Sequence, residues 1–263
     1  MSAAVAATFG DSVRAEWAKL VGVRSTAWSL LAAVVLGVGF AVPFGLAGAQ
    51  DFLGGTPEER AAFDPTAVGL RAHLFVQLAV AVLGVLVVTS EYATGTIRVS
   101  LAAVPRRPRL LAAKAVVVGG LALLAGGLVL LASFLVVQAV LDGAAPRAAL
   151  DQPDVLRAVL GGGLYLALVA LGAVAVGVLV RATAGAVTVM LCATLLVPAF
   201  TPILPRSLAV LVGTFWPTLA GNKIMTVVVD PRVLDPWTGL AVMAAWVVAL
   251  MAAALVVLQR RDA

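Results

Sequence analysis

Long stretches without charged side chains are the feature of this sequence that most restricts its fold. Six of them approach or exceed the roughly 20 residues that a helix needs to cross the hydrocarbon core of a bilayer. Because lipid offers backbone N–H and C=O groups no hydrogen-bond partners, such segments cross as helices. The sequence therefore predicts an all-α membrane protein with a single transmembrane domain over residues 1–263. Its six spans are expected at about 25–50, 72–90, 110–141, 158–180, 182–205 and 236–259.

Composition leads to the same fold class. Of the 263 residues, 62% are apolar and 12% are charged, whereas a soluble domain has roughly 25% charged residues. The single cysteine, Cys192, and the single histidine, His73, predict neither a disulfide framework nor a metal site. The net charge is +5, but the basic residues form no stripe interleaved with aromatic residues, so no nucleic-acid partner is expected.

The basic residues predict the orientation. With six spans, one side carries eleven basic and four acidic residues, a net charge of +7, and the opposite side carries seven basic and nine acidic residues, a net charge of −2. The basic side of a membrane protein faces the cytoplasm. We therefore expect a multi-pass protein of the plasma membrane with both termini in the cytoplasm.

Residues 207–222 form a shorter uncharged piece between the fifth and sixth spans, interrupted by Pro217 and Gly221. We expect a re-entrant or interfacial segment there. A seventh span would place Arg260 and Arg261 outside, which the distribution of basic residues disfavours.

Residues 1–24 are predicted to contain an amphipathic helix that lies at the membrane surface before the first span. Its apolar residues fall within an arc of about 120° at helical spacing, and Trp17 would lie at the level of the headgroups. Packing against another protein is the alternative for the same pattern. The apolar arc comprises Phe9, Val13, Trp17, Leu20 and Val21.

The chemistry of a self-sufficient pump or enzyme is absent from the sequence. There is no G-x-x-x-x-G-K-[ST] phosphate loop and no H-E-x-x-H pair. No ionisable residue lies in the middle of a span, where ion-coupled carriers usually need one. Arg71, Lys114 and Arg157 are near span ends, where their side chains are expected to reach the headgroup region. Four polar residues within the spans can form hydrogen bonds between helices or contact a substrate, and a role in helix packing is favoured for each: Gln77, Ser133, Gln138 and Thr194.

Residues 91–109, which join the second and third spans, form the most informative segment. Gly95 allows the chain to bend as it leaves the bilayer, and Thr94 or Thr96 can cap a new helix. Ile97, Leu101 and Val104 recur at helical spacing, and the following proline favours a helix end near Val104. The pattern predicts a short helix parallel to the membrane, with an apolar stripe that can rest on lipid or dock into a groove on a partner.

This segment, with several weaker matches elsewhere, resembles the permease subunits of ABC type-2 exporters, especially the compact six-span form common in actinobacteria. The most recognisable part is Glu91-Tyr92-x-x-Gly95-Thr96-Ile97-Arg98, followed by Leu101-Ala102-x-x-Pro105-Arg106-Arg107 and Lys114. Residues 14–26, the motifs Leu204-Pro205 and Trp216-Pro217, and the terminal residues 260–263 are also similar to the family. Together these matches frame almost the whole chain.

The resemblance implies an ATP-driven exporter. A second permease copy, identical or a paralogue, would pair with this chain in the bilayer, and a separate ATP-binding subunit would dock beneath each copy. ATP and Mg²⁺ would belong to that subunit, and this chain would bind no cofactor and would have no ATPase site of its own. The segment would act as a coupling helix, with these residues at the contact: Glu91, Tyr92, Thr94, Gly95, Thr96, Ile97, Arg98, Leu101, Pro105 and Arg106.

Alternatives remain open from the residues alone. Glu91 would be a polar pivot at the junction of span and helix, or simply a charge at a helix end. The whole chain would be a permease, or a non-transporting scaffold, immunity or assembly subunit of an ABC-like complex. An intramembrane enzyme is disfavoured because no nucleophile, base or metal ligands are paired in the sequence.

Overall fold

The computed structural model describes residues 8–103, 106–228 and 233–260, and these residues form helices and connecting turns without a β-strand. Six helical segments are long and apolar enough to cross a membrane, as the sequence predicts. They are spans 1 to 6 in chain order: Arg24–Gly54, Pro65–Thr94, Arg107–Leu141, Val155–Val180, Thr183–Ile203 and Pro236–Arg260.

Several spans are built from more than one regular helix. Span 1 comprises Arg24–Gly39 and Ala41–Gly54, span 2 comprises Pro65–Leu70 and His73–Thr94, and span 3 comprises Arg107–Leu121 and Gly127–Leu141 around a π-helical turn. Span 5 contains Thr183–Leu191, a π-helical turn at Cys192–Leu196, Val197–Phe200 and the 3₁₀ turn Thr201–Ile203. The remaining helices and turns are Phe9–Gly22, Pro57–Ala61, Thr96–Ala103, Arg206–Phe215, Pro217–Gly221 and Asn222–Met225.

Span 2 becomes helical at Pro65, seven residues before the charge-free stretch at 72–90 begins. Asp64 is the reason: its Oδ1 accepts hydrogen bonds from the N–H groups of Thr66 at 2.9 Å and Ala67 at 3.0 Å. Pro65 supplies a favourable first residue, since its fixed φ suits a helix and its missing N–H is not needed there. A capped helix over Pro65–Leu70 therefore extends the span into what the sequence indicates as a loop.

Spans 2 and 4 form the centre of the bundle, and spans 1, 5 and 6 lie at its periphery. Small residues allow the central pair to approach: a Cβ on Gly84 of span 2 would lie 2.6 Å from the carbonyl oxygen of Ala170 in span 4. The peripheral span 1 leaves large apolar side chains such as Trp28 and Val35 exposed. In a membrane protein such side chains face lipid or a partner, because lipid replaces water as their solvent.

The two described chain ends lie at the same end of the bundle. The N-terminal helix Phe9–Gly22 packs against the start of span 3, and Arg107, also at the start of span 3, donates to the carbonyl oxygens of Leu258 and Gln259 at the end of span 6. A guanidinium at a helix C-terminus is favourable because it meets unpaired carbonyls and the negative end of the helix dipole. We call this end the basic end.

Span 5 is interrupted in its second half by Pro198, and other elements bond to the carbonyl groups that lose their partners. Proline has no N–H for the carbonyl of Thr194, and the N–H of Val197 bonds to Cys192 instead of Ala193 in the π-helical turn. Two tertiary donors replace the lost partners: Gln77 Nε2 lies 3.2 Å from Thr194 O, and Trp216 Nε1 lies 2.8 Å from Ala193 O.

Three of the polar residues within the spans, Gln77, Ser133 and Gln138, form hydrogen bonds between helices. Tyr165 Oη donates to Gln77 Oε1 at 2.6 Å, which joins spans 2 and 4. Ser133 Oγ lies 3.2 Å from Gly69 O, and Gln138 Nε2 lies 2.9 Å from Pro65 O, so both tie span 3 to span 2. Thr194 differs, since its hydroxyl bonds within its own helix to Met190 O at 2.7 Å.

Residues 206–225 fold back against the bundle at the end opposite the basic end. Arg206–Phe215 leaves Val210 and Leu211 exposed, whereas Ala220 and Ile224 are buried against spans 6 and 4. Arg157 donates to the carbonyl oxygens of Ile224 at 2.9 Å and Thr226 at 3.0 Å. The expectation that Arg157 reaches toward headgroups is therefore wrong, because its guanidinium serves the end of this returning segment.

Candidate functional site

The predicted coupling segment starts at a sharp turn after span 2. Gly95 ends the helix with φ at +71°, and a Cβ there would meet nothing within 4 Å, so the requirement for glycine is conformational rather than steric. Thr94 Oγ1 accepts from or donates to Thr96 Oγ1 at 2.8 Å across the turn. A second helix follows over Thr96–Ala103, as the sequence predicts, while Val104 and Pro105 lie outside the described residues.

Four charged side chains from three elements meet beside this turn. They are Glu16 and Lys19 of the N-terminal helix, Glu91 at the end of span 2 and Lys114 near the start of span 3, and we call them the ionic cluster. Lys114 Nζ lies 2.8 Å from both Glu16 Oε2 and Glu91 Oε1. Lys19 Nζ lies 2.5 Å from Glu16 Oε1 and 2.7 Å from Glu91 Oε1.

Three of the four side chains in the ionic cluster are almost completely buried, which increases the energetic importance of their contacts. The side chains of Glu16 and Lys114 are each 4% exposed and that of Glu91 is 9% exposed, whereas Lys19 is 42% exposed. Two cations and two anions give no net charge. Taking charges out of water costs several kcal/mol for each ion, so such a group is tolerated only when every charge has a partner. Loss of the buried Lys114 would leave the buried carboxylates of Glu16 and Glu91 with only the half-exposed Lys19 as a partner.

The ionic cluster also contacts the helix after the turn. Lys19 Nζ lies 3.2 Å from Ser100 Oγ on Thr96–Ala103. The N-terminal helix, the end of span 2, the start of span 3 and the 96–103 helix are thus joined at one point. A displacement of the 96–103 helix would act directly on the N-terminal helix through Lys19, and through Lys19 on Glu91.

The Lys19 ammonium lies outside the spans, and its pKa is raised. Burial alone would lower the pKa, but the hydrogen bonds to Glu16 and Glu91 and the negative charges of these groups outweigh burial. Lys19 therefore stays charged over the whole physiological pH range.

Tyr92 carries the contact from span 2 to the turn between spans 4 and 5. The Arg181 guanidinium lies 5.1 Å from the centre of the Tyr92 ring, within range of a cation–π interaction. Arg181 has a positive φ of 60°, so it forms the left-handed end of span 4. Neighbouring residues at the end of span 2 therefore contact two different regions: Glu91 the N-terminal helix and span 3, Tyr92 the junction of spans 4 and 5.

Of the apolar stripe predicted on the 96–103 helix, only Ile97 has a described side chain, and the exposed residues of this helix lie on another face. Ile97 is 5% exposed and packs within this chain, whereas Val99 is 69% exposed and Arg98 lies on the surface beside it. The side chain of Leu101 lies outside the described residues. The face open to a partner therefore includes Arg98 and Val99 rather than Ile97.

The N-terminal helix buries its polar side and exposes most of its apolar arc. Ser12, Glu16 and Leu20 are buried, while Phe9 is 44% and Trp17 48% exposed. Of the remaining residues predicted on the arc, Val13 is half-buried and Val21 is exposed. A helix with this distribution is attached to the rest of the protein through Glu16, and its aromatic side chains remain exposed. This agrees with the predicted position at the membrane surface but does not test it.

Sequence reasoning placed only Glu91 of the ionic cluster in a candidate site and missed Glu16, Lys19 and Lys114. Lys114 was expected to reach the headgroup region, but it turns into the protein because Glu16 and Glu91 lie within hydrogen-bond distance. Glu16 and Lys19 were assigned no contact from the sequence. A usable signal was present: Ser12, Glu16 and Leu20 recur every four residues, which marks one helix face, and a lysine eight residues into a span needs a counter-charge.

The ionic cluster contributes only two carboxylates, and the remaining members are lysines. Among the described residues, no three His, Cys, Asp or Glu side chains are grouped as metal ligands. What the arrangement can do is mechanical: it fixes the positions of four elements relative to one another at the base of the bundle.

Comparison with known families adds the deciding observation. Residues 12–199 match the family described as ABC-2 family transporter protein. The chain is a member of the ABC-2 transporter family. The match begins inside the N-terminal helix, includes the ionic cluster and spans 1 to 4, and ends one residue after Pro198 in span 5. No curated protein matches the chain.

Membership in the ABC-2 family and six apolar helices establish a membrane permease. Membrane proteins of this family work with ATP-binding subunits in a transporter. The ionic cluster and the 96–103 helix therefore acquire a functional context that the fold alone would not provide.

Proposed function

We propose that this chain is the membrane-spanning subunit of an ATP-driven exporter and that the 96–103 helix receives the motion of a separate ATP-binding subunit. The subunit would sit at the basic end, which would face the cytoplasm together with both chain termini. A second permease copy would complete the path. We place the protein in the plasma membrane, and the excess of basic residues at this end favours the cytoplasmic side for it.

The observation that carries the proposal is the ionic cluster joined to the 96–103 helix. Lys19 bridges Ser100 of that helix to Glu16 and Glu91, and Lys114 extends the connection into span 3. A push on the exposed face of the 96–103 helix would therefore move the N-terminal helix and the ends of spans 2 and 3 together. Glu91 acts as a shared anchor in this arrangement, since Lys19 and Lys114 both bind its Oε1.

The experiment measures co-purification and ATPase stimulation with an ATP-binding subunit from the same organism, chosen by its Walker A motif. Val99→Asp places a charge on the 69% exposed face of the helix and spares the ionic cluster. We expect the permease-dependent stimulation of ATP hydrolysis to fall at least about ten-fold, equivalent to about 1.4 kcal/mol of contact free energy. Ala149→Asp, an exposed residue in the loop at the opposite end, is the matched control and should leave stimulation unchanged.

Equal stimulation by the Val99→Asp variant and the unaltered chain would place the contact elsewhere. Failure of the two proteins to associate, with the permease correctly inserted, would contradict the exporter and favour a non-transporting subunit. Labelling of a cysteine near either terminus only from outside the cell would contradict the orientation.

A further inference from the structure

The second half of span 5 and the helix that follows it form an arm without a buried side chain. No residue of 197–215, all of which the structure describes, is buried. The segment that follows differs, since Thr218, Ile224 and Met225 are buried against the bundle. Because few packing contacts hold it, the arm is a region of low local stability. We call residues 197–215 the flap.

The two ends of the flap lie side by side. Trp216, directly after the flap, donates from its indole Nε1 to Ala193 O, just before the flap, at 2.8 Å. The regular helix is interrupted at both ends. The π-helical turn Cys192–Leu196 precedes the flap, and Trp216 is extended, with φ of −66° and ψ of 129°, before Pro217. Helices bend at such π-helical turns and prolines, and a segment whose ends meet at one point can rotate about that point without stretching the chain.

Two further donors fix the base of the flap to the interior of the bundle. Gln77 Nε2 of span 2 lies 3.2 Å from Thr194 O, and Thr218 Oγ1 lies 3.4 Å from Ala193 O. The Gln77 and Thr218 residues are 1% and 6% exposed, so both contacts are inside the protein. The base is therefore held firmly, in contrast to the flap itself.

A second indole holds the flap against span 6. Trp246 Nε1 donates to Phe215 O at 3.1 Å, and Trp246 is 48% exposed, so this contact lies at the surface of the bundle. Trp246 is near the middle of span 6, whereas span 5 ends at Ile203, at the end opposite the basic end. The flap thus runs from the middle of the bundle to that end and back again. Moving its apolar side chains through lipid costs little, because lipid tails are as apolar as they are.

We infer that the flap swings about the contact between Trp216 and Ala193, and that Trp246 holds it closed against span 6. In the open state the hydrogen bond from Trp246 to Phe215 is broken, and the outer halves of spans 5 and 6 separate. This opens a route from the middle of the bundle to the end opposite the basic end.

The inference rests on the proposed function only in assigning the opening to a step of the transport cycle. The swing itself belongs to the permease and is measured without ATP or a partner, so the two can fail separately. Stimulated ATP hydrolysis together with a flap that keeps one position in every nucleotide state would overturn this inference and leave the exporter standing.

The test measures distances between two spin labels in nanodiscs by double electron–electron resonance. Cys192→Ala removes the native thiol, and Leu211→Cys and Leu156→Cys place labels on the flap and at the start of span 4, where the native side chains are 58% and 51% exposed. Dilution with unlabelled chains leaves only distances within one chain. We expect two distances, of which the closed one predominates. Ala241→Cys on span 6, an exposed position, replaces Leu211→Cys in the control pair, which should give one distance.

Three variants separate the parts of the device. Trp246→Phe keeps an aromatic ring and removes the donor to the flap, so the ratio of open to closed flap should rise about three- to ten-fold. Trp216→Phe should instead broaden both distances, because it removes the pivot. Trp237→Phe is the matched control: Trp237 lies in the same span, is 58% exposed, and its indole N–H bonds to no described residue. It should leave the ratio unchanged.

The complete transporter with a non-hydrolysable ATP analogue should also show a higher ratio of open to closed flap. Three results would overturn the inference. A single distance in both the unaltered chain and the Trp246→Phe variant would show a fixed arm. An equal change in the control pair would show movement of the whole bundle. Equal effects of Trp246→Phe and Trp237→Phe would show a response to the loss of any tryptophan in span 6.

Discussion

The two ends of the bundle satisfy their buried polar groups in different ways. At the basic end, four charged side chains neutralise one another, with Lys114 bonded to both Glu16 and Glu91. Toward the other end, a neutral network joins Gln77, Tyr165 and the carbonyl groups freed by Pro198. Both connect several spans. The difference lies in what happens when one member is lost, since an unpaired buried ion costs more than an unpaired amide.

That comparison suggests a division of roles. A neutral network tolerates small losses and suits a region that must hold its packing. An ionic cluster stabilises one arrangement strongly and is sensitive to changes in the distances between its charges. The end with the ionic cluster is also the end with the 96–103 helix, where the proposed function requires movement to be transmitted.

The largest expected effect is that of Lys114→Met. It leaves Glu16 without its second cation and should lower the free energy of unfolding by about 3–5 kcal/mol, measured by denaturant unfolding in detergent. Arg71→Met is the control, since its 3.7 Å contact with Asp51 is exposed and should contribute less than about 1 kcal/mol. Adding Glu16→Gln to Lys114→Met should recover part of the loss, and strictly additive effects would contradict a coupled cluster.

A smaller effect is expected from Gln77→Leu in the neutral network. It removes the partner of Tyr165 Oη and the donor to Thr194 O, and should lower the free energy of unfolding by about 1–3 kcal/mol. Tyr165→Phe removes only one of these bonds and should lower it by about 1 kcal/mol. The same unfolding assay applies. If Gln77→Leu proved as damaging as Lys114→Met, the contrast between the two ends would disappear.

The smallest effect concerns pH and the half-exposed Lys19. Its pKa in the folded chain lies above the ordinary value of 10.5, so its contribution is complete below about pH 10 and is lost as pH rises through the folded pKa. The contribution of Lys19 to the free energy of unfolding should be constant from about pH 8 to 10 and should decrease above pH 10. Lys19→Gln should lower the free energy of unfolding by less than about 1 kcal/mol, given solvent screening, and should reduce the alkaline loss. If the free energy of unfolding of the Lys19→Gln variant fell with alkaline pH as steeply as that of the unaltered chain, Lys19 would not contribute to the stability of the ionic cluster.

The sequence was sufficient for the number of spans and for the short helix after span 2, because both depend on local patterns. Uninterrupted apolar stretches predict spans, and Gly95 with Thr96 predicts a turn followed by a helix. The burial of Ile97 could not be predicted from the sequence. An apolar stripe at 97–104 is equally consistent with docking onto a partner and with packing against this chain.

The ionic cluster was harder because its members are far apart in the chain. Glu16 and Lys114 are separated by 98 positions, and a single sequence contains no distance between them. From the sequence, Glu91 was interpreted as a pivot or as a charge at a helix end. In the structure its Oε1 binds both Lys19 and Lys114, so it is a shared anchor for these two side chains. The roles of residues 91–106 toward an ATP-binding subunit remain predictions.

Asp64 has a consequence for how the protein is made. While its Oδ1 caps Pro65–Leu70, its Oδ2 accepts the N–H groups of Val227 at 2.7 Å and Val228 at 3.0 Å. The first of these residues is 163 positions further along the chain. During synthesis the Asp64 carboxylate therefore cannot form these two hydrogen bonds until residues 227 and 228 have been made, after the first five spans. Maturation of that surface is tied to the end of translation, and a nascent chain stalled before residue 227 would expose it unfinished.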